Sequence, residues 1–276
     1  MAFEYPGDGS LDYYPCRYGT SRLLFRGPRR DLSRPYIAVL GGTETYGKFV
    51  AEPFPALVEA KTDWRMVNLG VVNGGPDAFL KDPETLHILA NACATVVQIM
   101  GAQNLSNRYF TVHPRRNDRF VSASPLLRSM YREVDFTEFH FTRHLLGHLQ
   151  ARSPDRFEVV AEELRATWVQ QMRALLRACR GRILLLWLAE KSPPDPDRRA
   201  NLHREPLIVD REMIAAVRPL ATGYLEFRPS AAAIAAGADG MVLGPMDAPL
   251  AAGLPGPRMH EEVADALIQA LHATED

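Results

Sequence analysis

Three places in the chain put polar residues directly after a short apolar run. "YIAVLGGTETYGKFV" (residues 36–50) leads into Thr43, "RMVNLGVVNGG" leads into Asn73, and "ATVVQIMGAQN" leads into Asn104. Apolar runs that alternate with helical patterns predict a parallel sheet, and ligands of such sheets bind at the carboxyl ends of the strands. We therefore expect these three loops to form one site for a small-molecule or glycan ligand.

The first loop also nearly matches the phosphate-binding pattern G-x-x-x-x-G-K-[ST]. Gly42, Gly47 and Lys48 fit the pattern, but Phe49 stands where a hydroxyl would hold magnesium. A nucleotide-dependent transferase that works through the Gly42–Lys48 loop is therefore one alternative function.

A second template extends over more of the chain. The stretches "VLGGTETYG", "VNLGVVNGG" and "VVQIMGAQN" resemble, in order, the first three blocks of the SGNH (GDSL-type) hydrolase superfamily. The resemblance implies that Thr43 is the nucleophile of an esterase or acyltransferase and that Gly70 and Asn104 are oxyanion donors. Thr43 stands where the family has Ser, and Gly42 where it has Asp.

The general base is harder to assign because the family's last block, D-x-x-H, is absent as such. His260 begins the final helical pattern, thirteen residues after Asp247, and the resemblance makes it the expected base. "YYPCRYGTSRLLFRGP", "GGTETYGKF" and "HPRRNDRF" also resemble an uncharacterised bacterial family of unknown function over nearly the whole chain.

The stretch "HPRRNDRF" (residues 113–120) concentrates positive charge in a polar loop. Arginine forks suit phosphate, sulfate or carboxylate groups, so His113, Arg115 and Arg116 are predicted to bind substrate together with Asn73. The alternative is that Asn117 and Asp118 pair with these arginines and only order the loop. A non-catalytic glycan- or anion-binding protein on the same fold is the corresponding alternative function.

Three histidines, His140, His144 and His148, recur every four residues in "DFTEFHFTRHLLGHL". Successive helical turns place them on one face, but the HExxH form of zinc enzymes is absent. We predict a helix that faces the cleft, with no metal and no other cofactor.

Composition excludes several classes of protein. The chain has 276 residues and a net charge of −1, which gives no electrostatic footprint for nucleic acid or an anionic membrane. Its three cysteines, Cys16, Cys93 and Cys179, are far apart, which favours a reducing compartment. With no signal-peptide pattern and no long apolar run, a cytoplasmic location is expected.

The order of the elements predicts an α/β fold. We expect a three-layer sandwich with a parallel, flavodoxin-like sheet, the SGNH type, in which residues 105–158 form a lid-like insertion. Residues 1–35 are predicted to be an arm packed on the domain formed by residues 36–276.

Overall fold

A parallel sheet of five strands runs through the centre of the protein. The computed structural model describes residues 11–197 and 199–274. The sheet strands are β1 (Ile37–Gly41), β2 (Met66–Gly70), β3 (Ala94–Gln98), β6 (Arg182–Leu188) and β7 (Gly223–Phe227), and a separate antiparallel hairpin consists of β4 (Phe110–Val112) and β5 (Phe120–Ala123).

Helices cover the sheet and fill the connections between its strands. They are α1 (Thr43–Tyr46), α2 (Phe54–Lys61), α3 (Pro76–Leu80), α4 (Pro83–Asn91), α5 (Pro125–Met130), α6 (Thr142–Arg152), α7 (Pro154–Ala178), α8 (Arg211–Val217), α9 (Ala231–Ala236), α10 (Ala248–Ala251) and α11 (Pro257–His272), with short 3₁₀ turns at Phe136–Glu138 and Arg218–Leu220.

The strand order β2-β1-β3-β6-β7 confirms the predicted fold class. It is the flavodoxin-like order, in which the chain reverses direction across the sheet at β1 and β3. Every residue of β1 is buried, as expected for a strand with helices on both faces.

Two apolar clusters lie between the three layers, one on each face of the sheet. On one face, Val39 packs with Phe54 of α2 and Leu267 of α11. On the other face, Leu40 packs in the larger cluster that includes Phe79 of α3 and Trp168 of α7. The side chains of β1 thus alternate between the two clusters, as the period of a strand requires.

The region predicted as an insertion lies between β3 and the long helix α7. It contains the hairpin, α5 and α6, while its predicted end at residue 158 falls inside α7, which begins at Pro154 after the N-cap Ser153. The hairpin and α6 bring Asp118 and Phe141–His144 to the carboxyl edge of the sheet.

The segment before β1 packs on the domain in residues 11–35, whereas residues 1–10 of the predicted arm lie outside the described part. Its Arg26 is 6% exposed, and its guanidinium donates to the carbonyls of Tyr46, Gly47, Val50 and Ala51 at 2.6–3.2 Å. Arg26 thereby holds the turn that follows α1.

Close packing of α1 on β2 depends on Gly70. A Cβ built at this position would lie 2.3 Å from the backbone nitrogen of Tyr46, a distance that only a backbone shift could relieve. Gly70 also pairs in register with Gly41. The absence of a side chain here lets the turn that begins with Thr43 lie directly on the sheet.

We expect Gly70→Ala to lower the free energy of unfolding by about 3 kcal/mol because the new methyl group overpacks a backbone contact. Gly147→Ala is the matched control: this glycine is inside α6, and a Cβ there would meet nothing within 4 Å. Removing a helical glycine should stabilise the protein by about 0.5–1 kcal/mol. Urea unfolding of both variants tests the packing, and an unchanged Gly70→Ala protein would contradict it.

Candidate functional site

A cavity of about 770 Å³ opens at the carboxyl edge of the sheet. The strand ends and the connections that follow them form its lining: Gly42–Glu44 after β1, Asn73 and Gly74 after β2, residues 98–101, 103 and 104 at and after the end of β3, Leu188, His203, Glu205 and Pro206 at and after the end of β6, residues 252–254 after β7, and Asp118 with residues 141–144 from the insertion. The convergence follows from the parallel sheet, since its strands all end on the same side.

Thr43 lies in this cavity and is bonded to the loop after β2. Its Oγ1 accepts the backbone N–H of Asn73 at 2.9 Å and donates to Oδ1 of the same residue at 3.3 Å. Asn73 has a φ of +55°, the left-handed conformation that asparagine tolerates better than most residues. This backbone turn aims the N–H of Asn73 at the threonine hydroxyl.

Asp118 of the insertion fixes the orientation of that asparagine side chain. Its Oδ2 accepts from Asn73 Nδ2 at 3.2 Å. Because a carboxylate only accepts hydrogen bonds, the amide nitrogen must face Asp118 and the amide oxygen must face Thr43. The hydroxyl of Thr43 is therefore connected through one amide to a carboxylate of the cavity wall.

Asn104 joins the loop after β2 to α6. Its Nδ2 donates to the carbonyl of Asn73 at 2.9 Å, and its Oδ1 accepts from Thr142 Oγ1 at 2.7 Å. The amide nitrogen has two hydrogens, so a bond to a ligand would use the second one. Asn104 stabilises the turn that orients Asn73.

The structure does not place Gly70 where the expected oxyanion donor belongs. Its N–H donates to Asn68 Oδ1 at 2.8 Å, and the residue is covered by α1. The reason is an offset in the chain: β2 ends at Gly70, and the chain reaches the cavity only at Asn73. The backbone N–H beside Thr43 belongs to Asn73.

The structure also corrects the role predicted for His260 as the base, because this residue is not among those that line the cavity. It is 1% exposed, its Nδ1 accepts the N–H of Phe54 at 3.0 Å, and its ring stacks on the Phe54 ring. Burial, with a smaller contribution from Arg26, lowers the pKa of His260 to about 3. The residue is a neutral acceptor for an otherwise unsatisfied N–H at the start of α2, and so it cannot serve as the base for Thr43.

Gln98, the last residue of β3, organises the floor of the cavity. Its Oε1 accepts from the backbone nitrogens of Gly42 (3.1 Å) and Thr45 (3.3 Å) and from Thr45 Oγ1 (2.6 Å). Its Nε2 donates to Glu44 Oε2 at 2.7 Å. A Cβ built on Gly42 would lie 3.0 Å from that same Glu44 oxygen, so the Glu44 carboxylate lies beside the position where the GDSL pattern has an aspartate.

Glu205 and Arg143 form an ion pair between the loop after β6 and the first turn of α6. Although the Glu205 side chain is 55% exposed, desolvation by the surrounding protein raises its pKa. Arg143 opposes this shift, and the charge of Glu44 adds to it. The Glu44 carboxylate therefore acts on Glu205 across the cavity.

The basic loop faces away from the cavity, contrary to the predicted substrate-binding role of His113, Arg115 and Arg116. Both arginines are exposed, and none of the three residues lines the cavity. His113 Nδ1 accepts the backbone N–H of Arg115 and of Arg116 at 3.2 Å. Buried Asn117 orders the loop from inside by accepting the N–H groups of Gly75 and Ala78.

The Gly42–Lys48 loop does not form a phosphate cradle. Most of its backbone N–H groups are used within the protein: those of Gly42 and Thr45 bind Gln98, that of Tyr46 binds the Gly42 carbonyl, and those of Gly47 and Lys48 bind the Thr43 carbonyl. Lys48 Nζ lies over the ring of Phe49, 4.8 Å from its centroid. These contacts occupy most of the donors that the nucleotide alternative requires.

Of the three histidines on the predicted face, the structure does not place all in the cavity. His144 lines the cavity, and the rings of His144 and His148 flank Phe139 at 4.9 and 5.1 Å. Within residues 11–197 and 199–274, no three His, Cys, Asp or Glu side chains are grouped so that they could hold a metal ion, and no helix is long and apolar enough to cross a membrane.

Several residues of the site escape sequence reasoning: Glu44, Gln98, Asp118, Arg143, His203 and Glu205. Gln98 had a usable signal, because it is a polar residue at the end of the otherwise apolar strand "ATVVQ". The others lie in loops or on the edge of a helix, where no periodicity indicates which way a side chain points.

The buried histidine gives a test by pH. Unfolded His260 binds a proton below its ordinary pKa of about 6.5, whereas the folded form stays neutral down to about 3. The contribution of His260 to stability is therefore lost as the pH falls below 6.5. Between about pH 7 and about pH 5 the loss should be about 2 kcal/mol.

His260→Gln is the informative variant, since glutamine can accept the Phe54 N–H but does not titrate. Urea unfolding of both proteins at the two pH values should show that the wild type loses about 2 kcal/mol more than the variant. Parallel losses in the two proteins would contradict the assignment.

Comparison with known proteins finds solved structures that are distantly similar to this chain and one family whose model matches it. A catalytic mutant of an acetylxylan esterase from Geobacillus stearothermophilus is 12% identical, with a TM-score of 0.42 over 86% of this chain and 94% of that chain. An α/β hydrolase from the metagenome of Lake Arreo is 13% identical, with a TM-score of 0.39 over 88% and 97%. A gut microbial diltiazem-metabolizing enzyme is 12% identical, with a TM-score of 0.44 over 87% of this chain and 47% of that one.

These values are too low to transfer an activity, and no curated protein matches the chain. The model of one family, "Domain of unknown function (DUF6473)", matches residues 1–275. This confirms the predicted full-length resemblance to a family of unknown function: the chain belongs to the DUF6473 family.

Proposed function

We propose that the cavity binds a neutral, hydroxyl-rich small molecule of the carbohydrate type. The observation that carries the proposal is the composition of its wall, which combines three carboxylates, the amides of Asn73 and Asn104, and the half-exposed ring of Phe141. Carboxylates accept strong charge-assisted hydrogen bonds from hydroxyl groups. A few convergent polar groups beside an apolar surface are typical of small-molecule sites.

Charge favours a neutral ligand over an anionic one. Glu44, Asp118 and Glu205 line the cavity, whereas Arg143, the arginine among the lining residues, is already paired with Glu205. An anion would meet a surplus of like charge there. The arginines of the basic loop, on which the anionic alternative depended, are directed elsewhere.

Titration with neutral monosaccharides and their methyl glycosides, followed by calorimetry and thermal unfolding, tests this proposal. Glu44→Gln and Asp118→Asn each keep an oxygen that can accept from Gln98 or Asn73, but they remove the charge. We expect each to weaken binding about fivefold, since a charge-assisted bond exceeds a neutral one by roughly 1 kcal/mol.

Asp265→Asn is the matched control, because Asp265 pairs with Lys61 on the surface and lies outside the cavity lining. It should bind like the wild type. Absence of binding by every neutral sugar, or an equal loss in the control, would contradict the proposal.

A second function, hydrolysis or transfer of an acyl ester, is favoured by the 2.9 Å contact between Asn73 N–H and Thr43 Oγ1. In such a reaction the Thr43 oxygen attacks the ester carbonyl, and N–H donors stabilise the negative charge on the tetrahedral intermediate. A histidine takes the Thr43 proton and returns it to the alcohol as the alcohol leaves, and water or a second hydroxyl then releases the acyl group from Thr43. His144 and His203, which line the cavity, are the candidates for the base.

Hydrolysis of p-nitrophenyl acetate tests this second function. Thr43→Val preserves the shape of the side chain and should abolish the rate, as should His144→Asn or His203→Asn for whichever histidine is the base. Asn73→Gly retains the backbone N–H and the left-handed turn and should keep the rate within about tenfold. His260→Gln is the control that should leave the rate unchanged. A rate that survives in Thr43→Val would exclude this function.

A further inference from the structure

A second, smaller cavity lies behind the loop that carries Glu205. Its volume is about 160 Å³. Arg204 lines this cavity, whereas its neighbours His203 and Glu205 line the large one, and Pro206 lines both. By the liquid volume of water, this space corresponds to about five molecules, which is enough for a tetrahedral oxyanion.

The walls of the small cavity offer more hydrogen-bond donors than the protein uses. Arg165 Nε and Arg204 Nε are shielded from solvent, and neither has a hydrogen-bond partner among the described residues. Among the described residues, the ion-pair contacts of Arg165 are long, 3.8 Å to Glu158 and 3.9 Å to Asp210, and both exceed hydrogen-bond distances. Because each guanidinium has five N–H donors, a ligand rich in acceptors would satisfy them.

The carboxylates that line the cavity form no hydrogen bond with Arg165 or Arg204 among the described residues, since the bonds they make go to other groups, although Asp210 Oδ2 lies 3.9 Å from Arg165 Nε. Asp195 pairs with Arg211 at 3.2 Å. Asp197 accepts the backbone N–H of Arg199 at 3.3 Å. Asp210 caps the first turn of α8 through a bond of 2.9 Å. The arginines are therefore the groups with unused capacity.

Glu158, beside Arg165, has the opposite need, because one of its oxygens is an acceptor without a donor. Its Oε1 accepts the N–H of Ala200 at 2.8 Å, but its Oε2, which lies 3.8 Å from Arg165, is shielded and has no hydrogen-bond partner in the described part of the chain. An ionised carboxylate oxygen can only accept. Glu158 lies behind Arg165 and outside the residues that line the cavity, and a ligand beside Arg165 that supplies a hydrogen would satisfy this oxygen.

We propose that this cavity binds a phosphate group in its hydrogen phosphate form. The phosphate oxygens accept from Arg165 and Arg204, and the P–OH group donates to Glu158. The Nε atoms of Arg165 and Arg204 and the Oε2 atom of Glu158 are shielded in the ligand-free protein, so the proposal includes a side-chain adjustment that exposes them to the ligand. The site is distinct from the carbohydrate cavity, so its test is independent of the function proposed above.

Calorimetric titration of the full chain with inorganic phosphate and with sulfate at neutral pH tests the site. Sulfate has the same shape but no hydrogen to donate, so we expect it to bind at least about tenfold more weakly. Arg165→Gln and Arg204→Gln should each weaken phosphate binding at least about tenfold. Arg177→Gln, an exposed position on the same helix α7, removes an equal charge and should bind phosphate like the wild type.

Glu158→Gln gives the sharpest result, because glutamine keeps an acceptor for Ala200 and presents N–H donors instead of the bare oxygen. This variant should bind sulfate about as well as phosphate. Binding of phenyl phosphate at least as tight as that of inorganic phosphate would identify an esterified phosphate, and weaker binding would identify the free ion.

Urea unfolding of each ligand-free variant separates a lost site from a lost fold. The proposal is overturned if wild-type protein gives no saturable heat with phosphate, if sulfate binds equally well, or if Arg177→Gln weakens binding as much as Arg165→Gln.

Discussion

The carboxamide of Gln98 is the interaction on which the candidate site depends. It lies at the end of β3, where its oxygen accepts three hydrogen bonds from the Gly42–Thr45 turn and its nitrogen holds Glu44. A buried polar group is costly unless its hydrogen bonds are made, so this network has one favourable arrangement. That arrangement places the Thr43 hydroxyl and the Glu44 carboxylate on the cavity wall.

The sequence predicted the framework of the site because strand ends are visible in it. Three apolar runs ended in Thr43, Asn73 and Asn104, and a parallel sheet brings such loops to one edge. The parallel sheet and the long helix α7 were also within reach, since they follow from alternation and periodicity, whereas the flavodoxin-like order was implied by the SGNH resemblance. What the block pattern could not show is which backbone N–H reaches the cavity: two residues separate the end of β2 at Gly70 from the turn at Asn73.

His260 illustrates a signal that was present in the sequence. It shares the buried face of α11 with Val263, Ala264, Leu267 and Leu271, at the spacing of an amphipathic helix. A histidine at such a position is expected to satisfy a neighbour in the core, and here the neighbour is the first N–H of α2. The basic loop is the opposite case, because one buried asparagine decides its orientation and composition does not reveal which residue is buried.

The loop after β6 separates two chemically different spaces. Its alternating side chains direct His203 and Glu205 to an acidic, open cavity and Arg204 to a small one with surplus N–H donors. A change in the position of this short segment would alter the shape of both cavities, since Pro206 lines both. Residues 203–206 of the loop have no regular helix or strand, so their conformation depends on the side chains that they place in the two spaces.

Arg26 has a consequence for the boundaries of the folding unit. It reaches from the segment before β1 to four carbonyls in the turn after α1, and Tyr13 accepts the N–H of Phe49 in the same turn. The first strand, β1, begins at Ile37, but a fragment that folds on its own must also include the residues before this strand. A fragment trimmed to the sheet would expose those carbonyls and release the turn, so the segment before β1 is as much a part of the cavity's architecture as the strands themselves.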